Sequence, residues 1–400
     1  MALNVYNGGA SSHGQNTVVH HYDRAGVKAA NAVNVYQQFA DRKSMPLKKG
    51  KTYKISKFLH IYDRNQNTDP DFAAKGFLSK RTLDELNAGL SAAALGEGAG
   101  AQNQVGIEKI TMEASFARYG HMIEYTDEVE MFSEDAIQVR YREELGALIN
   151  VRNEDLIQKG LLSQGNLLCA NDEATKATLG TGVGADDTNA EKYKISFDLM
   201  RKAVKKLVRN RAKKKTSIVT GSTKVDTRTI NSAYYGIIGA EVKYDLESLT
   251  RGSGNAEEFA YIPRYKYASS TNLAEGECGA MHDVRFIESE SAVHYGNAGA
   301  HIPKDYAGEL SYTPGTDDSS DTESDRGRFD VFPVLFPTEG CYATIGLKGH
   351  GKVKFKSMSP EALDRTNPYG TKGFFSANFW FAGIVLDETK LLEVQVLATA

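Results

Sequence analysis

The sequence predicts an α+β fold organised around one long helix. Residues 133–164 have the spacing of an uninterrupted helix of about 32 residues, roughly 48 Å long at ~1.5 Å per residue. Strand-like segments precede it at 51–62 and 107–119 and recur throughout 329–400. A domain of ~100 residues has a radius of gyration near ~13 Å, so this helix must run across several other elements.

The start of the long helix is better defined than its end. Ser133 is a suitable N-cap, and Glu134 and Asp135 place negative charge where the helix dipole favours it. Gly160 and Gly165 are two alternative stops.

An apolar stripe predicts which part of this helix is buried. The residues that share one face are Ile137, Tyr141, Leu145, Leu148, Ile149 and Leu156. Arg152, Asp155 and Lys159 interrupt the stripe in the later turns, so the pattern predicts that only the front half belongs to a core. A coiled coil is the alternative, but the stripe lacks a sustained heptad and Gly146 interrupts it.

Length and composition indicate a folded protein of two or three domains, because 41% of its 400 residues are hydrophobic. The net charge of −3, from 48 basic and 51 acidic residues, indicates no global preference for nucleic acid or membrane. Cys169, Cys278 and Cys341 lie far apart in a pattern that fits a reducing compartment. The N-terminus lacks a signal-peptide pattern and the longest apolar run, at 379–386, is too short to span a membrane.

The first part of the chain predicts an arm followed by a long two-stranded excursion. Residues 1–50 begin rich in Gly, Asn and Ser, with a possible short helix within 27–45. The strands at 51–62 and 107–119 enclose a segment, 88–106, made almost entirely of small residues. Because an isolated hairpin is marginal in water, we expect the excursion to lie on another subunit. The alternative is a flexible loop with no partner.

The second part predicts a polar connection at 170–190 that marks a domain boundary, then a helix within 197–215. Further strands are predicted at 217–221, 234–239, 284–289, 330–336, 341–347, 352–358, 373–386 and 391–398. The last two are expected to form a closing hairpin with Leu392, Val394 and Val396 on one face. Residues 314–325 are strongly acidic and predict a solvated, mobile loop.

One motif resembles a phosphate-binding loop. Residues 346–353, GLKGHGKV, match the first seven positions of the P-loop pattern. Val353 lacks the hydroxyl that binds magnesium at the eighth position, and 352–358 alternates like a strand where a helix is required. A Gly-rich turn between strands is the favoured interpretation, and a nucleotide-binding enzyme is the alternative.

Metal-ligating residue types occur in two short clusters without a known zinc geometry. The clusters are His20, His21 and Asp23, and Cys278, His282 and Asp283. The sequence also lacks the G-x-S-x-G, H-E-x-x-H and paired C-x-x-C patterns. We therefore predict no catalytic, cofactor-binding or metal-binding residue.

A basic cluster lies on the helix within 197–215 and directly after it. Its members are Arg201, Lys202, Lys205, Lys206, Arg209, Arg211 and residues 213–215. They have the charge to neutralise phosphates. A solvated helix face is favoured, because no aromatic residues interleave to stack on bases.

The order of these elements resembles the Hong Kong 97 type fold of tailed-phage capsid proteins. Four stretches are similar to the major capsid proteins of Enquatrovirus-type short-tailed phages. They are residues 110–130, 237–247, 276–290 and 367–398. The resemblance covers nearly the whole chain.

This resemblance implies a structural protein without catalysis. It assigns an N-terminal arm to 1–50, an E-loop to 51–118, a P domain with the spine helix to 119–184, an A domain to 185–340 and returning P-domain strands to 341–400. Hexamers and pentamers would then form an icosahedral shell around double-stranded DNA, assembled in the host cytoplasm and found in the virion. The implied partners are further copies of the chain, portal and scaffolding proteins, in some relatives a decoration protein, and packaged DNA, with no membrane.

Some relatives of this fold cross-link their subunits through Lys and Asn, and others carry a scaffolding segment that is removed. The arm starts at residue 1 without a long helical extension, so we expect no internal scaffold. Covalent cross-linking stays open, since Lys and Asn are common in the chain. An encapsulin-like compartment shell is the alternative function for the same fold.

Overall fold

The chain folds as one large mixed sheet joined to a smaller region built on the long helix. The computed structural model describes residues 34–58, 82–95, 97, 109–132, 137–162, 166–219, 227–251, 258–259, 261–267, 272–348, 353–362 and 367–400. The described helices are α1 (Val35–Gln38), α2 (Leu83–Ala93), α3 (Asp127–Phe132), α4 (Ile137–Leu162), α5 (Phe197–Arg209) and α6 (Ala240–Glu247).

Most of the described strands follow α4. In order, the described strands are β1 (Asp41–Met45), β2 (Thr52–Phe58), β3 (Lys109–Ser115), β4 (Ala117–Thr126), β5 (Asn166–Cys169), β6 (Lys215–Val219), β7 (Thr227–Ile238), β8 (Thr250–Arg251), β9 (Glu258–Phe259), β10 (Ile262–Pro263), β11 (Glu277–Met281), β12 (Val284–Glu288), β13 (Tyr312–Thr313), β14 (Arg328–Phe329), β15 (Phe332–Phe336), β16 (Tyr342–Leu347), β17 (Lys354–Met358), β18 (Lys372–Phe381), β19 (Gly383–Val385) and β20 (Leu392–Val396). The strands predicted in the second part of the sequence are all present, although 373–386 divides into β18 and β19.

Eight of the described strands form the main sheet, in the order β10-β11-β12-β7-β15-β20-β5 with β6 also paired to β7. β20 lies between β15, to which it is antiparallel, and β5, to which it is parallel. The predicted closing hairpin is therefore wrong, because β19 pairs with β16 and β20 joins a different sheet. All five residues of β20 are buried, so it gains cover on both faces that a terminal hairpin would not provide.

The main core lies between one face of this sheet and α5. Ser196 caps α5 by accepting a hydrogen bond from the Leu199 amide at 3.2 Å, and the helix buries Met200, Ala203 and Leu207 against the sheet. The segment 170–190 is predicted as a polar connection, but in the structure part of it is buried. It contributes Leu179, Val183 and Ala190 to the same core.

The long helix is confirmed over Ile137–Leu162, about 39 Å at ~1.5 Å per residue. Its predicted N-cap Ser133 and the alternative stop Gly165 lie outside the described residues, and the helix continues past Gly160. The front half is buried as predicted, with Leu145 and Ile149 against Ala377 and Phe379 of β18.

The prediction that only the front half is core is wrong. Ile157 and Leu161 are buried in a second core on the other face of the main sheet, and Glu154 and Gln158 are buried beside them. These four residues share a face at helical spacing, which was missed because two of them are polar.

The first described residues are part of the subunit rather than an arm ordered only by its contacts. Tyr36 and Phe39 are buried in the second core, and β1 pairs in parallel with β16. Of the short helix predicted within 27–45, the described part of the chain contains only the four residues of α1.

The excursion is confirmed as a pair of antiparallel strands, β2 and β3. The segment predicted as one strand at 107–119 contains two, because Phe116 is buried in a small core and its amide donates to the Lys51 carbonyl at 3.1 Å. β4 then pairs with β18, which pairs with β17, and this three-stranded sheet packs on α4.

The acidic loop at 314–325 is solvated, as predicted, but it is tied together by hydrogen bonds. Asp318 Oδ1 accepts from the Gly315 amide at 2.9 Å and the Gly327 amide at 2.8 Å. A Cβ at Gly315 would overlap the carbonyl oxygen of Asp325, so the two ends of the loop approach as closely as backbones can. The loop is therefore a compact projection.

Candidate assembly interface

The β2–β3 hairpin presents two chemically different faces. Tyr53, Ile55 and Lys57 on β2 lie opposite Ala114, Met112 and Ile110 on β3, and this face is partly covered by the body of the subunit. The other face is exposed and carries an ion pair between Lys54 and Glu113. In the described part of the chain this sheet has only two strands, so both of its outer edges offer unpaired backbone groups.

One ionic contact ties the hairpin to the C-terminal region. Lys57 Nζ lies 2.7 Å from Asp387 Oδ2, which also lies 3.1 Å from Lys390 Nζ. Burial alone would raise the pKa of Asp387, but hydrogen bonds from Lys57 and Thr389, together with the charge of Lys390, leave it below its usual range. The carboxylate is therefore charged at neutral pH and holds the far end of the paired strands, at Lys57, against the body of the subunit.

A cleft of about 560 Å³ lies under the half of the hairpin that is farther from its base. It is lined by the hairpin, α4, β16 and β19, with Met112, Leu156 and Thr344 among its walls. The described strands of the hairpin therefore lie over the subunit with incomplete packing beneath them.

Helix α2, which follows the outward strand of the excursion, exposes apolar residues. Leu83 and Leu90 are 70% and 63% exposed, and their seven-residue separation puts them on one face of the helix. Leu95, just beyond the helix, is 77% exposed. A row of exposed leucines is a surface that a neighbouring molecule would cover.

The outer face of the sheet formed by β4, β18 and β17 is another exposed surface. Its inner residues Ile123, Phe375 and Ala377 pack on α4, whereas Met122 points outward and is exposed. β17 is exposed along most of its length and is an edge strand in the described part of the chain. The outer face and this edge offer further contact surface.

A buried polar cluster fixes the point where the N-terminal segment enters the subunit. Glu154 of α4 accepts hydrogen bonds from the Tyr36 amide at 2.6 Å and the Gln37 amide at 3.1 Å. The Gln158 amide, oriented to satisfy its neighbours, accepts from the Tyr36 hydroxyl and the Val293 amide, both at 2.8 Å. Burial raises the pKa of Glu154 to about 7 in spite of these backbone hydrogen bonds.

The P-loop-like motif does not fold as a phosphate site in the described residues. β16 ends at Leu347 and β17 begins at Lys354, so a strand follows the motif where a P-loop has a helix. Residues 349–352 lie outside the described residues. This arrangement agrees with a turn between strands.

The candidate metal residues that the structure describes do not form a set of ligands. His20, His21 and Asp23 lie outside the described residues. Cys278 is half-buried in β11, while His282 occupies the turn before β12 and packs edge-on against Phe197. Within the described ranges, no group of three His, Cys, Asp or Glu side chains is placed to hold a metal.

The basic cluster divides between surface and interior. Lys205 is exposed on α5, whereas Lys206 donates to the Leu167 carbonyl at 2.7 Å. The prediction of a solvated face is wrong for Lys215, because this residue is buried and donates to the Phe39 carbonyl at 2.9 Å.

Among the helices described, none is both long and apolar enough to cross a bilayer.

Comparison with known proteins gives one similar curated sequence and several similar folds. No known protein-family profile matches the chain. The major capsid protein of Pseudomonas phage KPP21 is 28% identical over 298 residues, which span 73% of this chain and 68% of that protein.

Two solved capsids show the likeness of fold. The capsid of Ralstonia phage GP4 has a TM-score of 0.57 at 10% identity, covering 97% of both chains. The capsid structure of cyanophage P-SCSP1u has a TM-score of 0.51 at 10% identity, covering 95% of this chain and 93% of that one. The chain thus has the α+β fold of phage capsid subunits, the Hong Kong 97 type that the order of its elements predicts.

Proposed function

We propose that this chain is the major capsid protein of a tailed phage and assembles with further copies of itself into an icosahedral shell. The single observation that carries the proposal is the excursion between 51 and 118: the outer edges of its β2–β3 hairpin and the exposed leucines of α2 have no cover within the described part of the subunit. The capsid fold and the sequence similarity to the KPP21 capsid protein support the same function. The role is structural and does not involve catalysis.

The assignment of regions follows from this function. Residues 1–50 are the N-terminal arm and its root, 51–118 the E-loop, 119–184 the P domain with the spine helix, 185–340 the A domain and 341–400 the returning P-domain strands. The finer relationship we propose is to the Enquatrovirus-type short-tailed phages. The partners are then portal and scaffolding proteins, in some relatives a decoration protein, and packaged double-stranded DNA held by non-specific contacts.

Analytical ultracentrifugation of the purified protein over a range of concentrations and salt tests the proposal, together with electron microscopy of the same samples. We expect rings or closed shells whose fraction rises with protein concentration. A stable monomer of 43.8 kDa under every condition would contradict it. An encapsulin-like shell would also assemble, so the phage origin is tested separately by whether a portal gene lies beside the gene for this chain.

A further inference from the structure

The face of α5 that points away from the main core forms a basic groove. A cavity of about 590 Å³ runs along it, lined by Arg201, Lys205, Val208, Arg209 and His282 among others. Val208 is exposed in this groove. We call this surface the basic groove.

Local partners neutralise only part of this surface. Arg201 pairs with Asp198 at 3.4 Å, and Lys202 pairs with Asp172. Lys205 and Arg209 have no ion pair with any described residue. Two positive charges one helical turn apart therefore remain available in the groove.

The acidic loop at 314–325 is complementary to the basic groove, because its charge is negative and it projects from the surface. Asp318 and Asp325 are used to tie the loop together, whereas Asp321 and Glu323 point outward from it. Each of these two has one basic neighbour, Lys304 at 2.6 Å and Arg326 at 3.7 Å, and each is mostly exposed. The loop is a compact acidic projection.

The C-terminal end of the groove and the base of the acidic loop lie at opposite ends of strand β20. Asn210, at the end of α5, donates to the Thr389 carbonyl at 2.7 Å, three residues before β20 begins at Leu392. The base of the acidic loop lies beyond the other end, where Phe332 pairs with Val396 and the Ser311 amide donates to the Ala398 carbonyl at 2.9 Å. The four intervals of β20 span about 13 Å at ~3.3 Å per residue. Among the described residues, the ion pairs of Asp321 and Glu323 are with Lys304 and Arg326, and none joins the loop to Lys205 or Arg209.

We infer that the basic groove of α5 receives the acidic loop of a second copy of this chain, in a head-to-tail contact that closes the capsid ring. Two different complementary patches that do not pair within one subunit generate a heterologous contact, and such contacts form a ring when the rotation between neighbours closes. The inference rests on the proposed function, since it names the residues that join neighbouring subunits of the shell. DNA is disfavoured as the occupant because Val208 is an exposed apolar side chain among the charges of the groove, and contacts to phosphates make no use of such a side chain.

Charge reversal at both patches tests this contact. The groove variant carries Lys205→Glu and Arg209→Glu, and the loop variant carries Asp321→Lys and Glu323→Lys. We expect each to lower the yield of rings and shells at least tenfold, and the variant with all four changes to recover to within about threefold of wild type. The four-change variant has the wild-type net charge, so it controls for non-specific charge effects.

A mixture of the two double variants gives a sharper result. Alternating groove and loop variants around a six-membered ring places opposite charges at every contact, whereas a five-membered ring must keep one like-charged contact. We therefore expect the equimolar mixture to form hexameric rings but few closed shells. Contacts between exposed charges are also screened by salt, so wild-type ring yield should fall as the screening length drops from ~10 Å at 0.1 M to ~3 Å at 1 M.

Three outcomes would overturn the inference. The first is a four-change variant that assembles no better than either double variant. The second is a mixture that forms no rings. The third is a groove variant that assembles normally but packages less DNA, which would place the groove on the DNA side of the shell.

Two measurements keep these outcomes interpretable. Thermal melting of each variant verifies folding, and Lys205→Gln with Arg209→Gln replaces the groove variant if the reversal prevents folding. Assembly of the wild-type protein reports on the capsid function independently, so failure of the contact and failure of the function are distinguishable.

Discussion

A carboxylate in the middle of the long helix holds the first described residues of the chain in place. Glu154 joins α4 to the amides of Tyr36 and Gln37, and the Tyr342 hydroxyl donates to the Tyr36 carbonyl from the other side. Hydrophobic spacing could not reveal this, because it treats a buried Glu as an interruption. The residues that satisfy Glu154 lie more than a hundred positions away, which is why the sequence pattern predicted a solvated rear half.

Stability is expected to depend on pH through Glu154. Its pKa is raised to about 7 in the folded state, so the native protein binds the proton more tightly than the unfolded chain. Its contribution is fully present below the ordinary pKa near ~4.5 and is lost as the pH rises through about 7. Relative to Glu154→Gln, the wild type should lose up to about 3 kcal/mol of unfolding free energy over this range, as measured by urea denaturation.

Glu143→Gln, on the exposed side of the same helix, is the matched control and should leave the pH profile unchanged. If Glu154→Gln also left the profile unchanged, the carboxyl would not be the titrating group.

Leu145 and Leu148 allow a direct comparison of buried and exposed positions on α4. Leu145 is 1% exposed and packs on β18, whereas Leu148, which the apolar stripe also includes, is 38% exposed. Leu145→Ala is expected to lower the unfolding free energy by about 2–5 kcal/mol, because it leaves a cavity. Leu148→Ala should cost less than about 1 kcal/mol. Equal losses in chemical denaturation would show that the stripe, rather than its buried part, forms the contact with β18.

At the scale of elements, the hairpin is predictable from sequence and its attachment is not. Alternation predicted both strands, but the residue that anchors Lys57 lies 330 positions away in the chain. The same limit explains the wrong closing hairpin. Nothing near Leu392 in the sequence indicates that its strand pairs with β15 and β5 rather than with its immediate predecessor.

The contact between Lys57 and Asp387 is expected to control local opening of the hairpin. Asp387→Asn should speed hydrogen exchange of the β2 and β3 amides about fivefold at neutral pH, equivalent to about 1 kcal/mol. Because the folded pKa of Asp387 is depressed, the stabilisation is present above its ordinary pKa near ~3.9 and is lost as the pH falls below it. Exchange in the wild type should therefore approach that of the variant in acid.

Glu113→Gln removes the exposed ion pair with Lys54 on the same hairpin and should change exchange far less. An equal effect of both substitutions would mean that the buried position of Asp387 has no special role.

The exposed leucines of α2 are expected to stabilise the shell rather than the subunit. Leu83→Ser with Leu90→Ser should leave the melting temperature of unassembled subunits within about 2 °C of wild type, since neither side chain is buried. Particle yield under mild denaturant should fall, and replacing residues 88–104 by a short Gly-Ser link should lower it further. Ser91→Ala is the control on the same helix. A large loss of subunit stability with normal assembly would place these leucines inside the subunit.

At the scale of the whole molecule, the order of elements was sufficient to predict the fold class but not the strand order of the main sheet. The long helix, the hairpin before it and the strand-rich end appear in the sequence as local periodicities. The pairing of β20 with β5 brings Gln395 beside Cys169 across more than half of the chain, and no local pattern encodes it. The buried polar residues Glu393 and Gln395, which hydrogen-bond to each other at 2.7 Å, also hide the strand's central position from a hydrophobicity pattern.

The position of β20 has a consequence for how the chain is made. β5 is synthesised about 220 residues before β20, so at ~5–20 residues per second it leaves the ribosome roughly 10–45 s earlier. Throughout that interval β5 lacks its partner strand. Once β15 has emerged, the edge of β15 that will pair with β20 is unpaired as well. Nascent chains on one messenger RNA therefore carry unfinished sheets side by side, where edge-to-edge pairing between chains is a hazard. The sheet is complete only once β20 has emerged and inserted between β15 and β5.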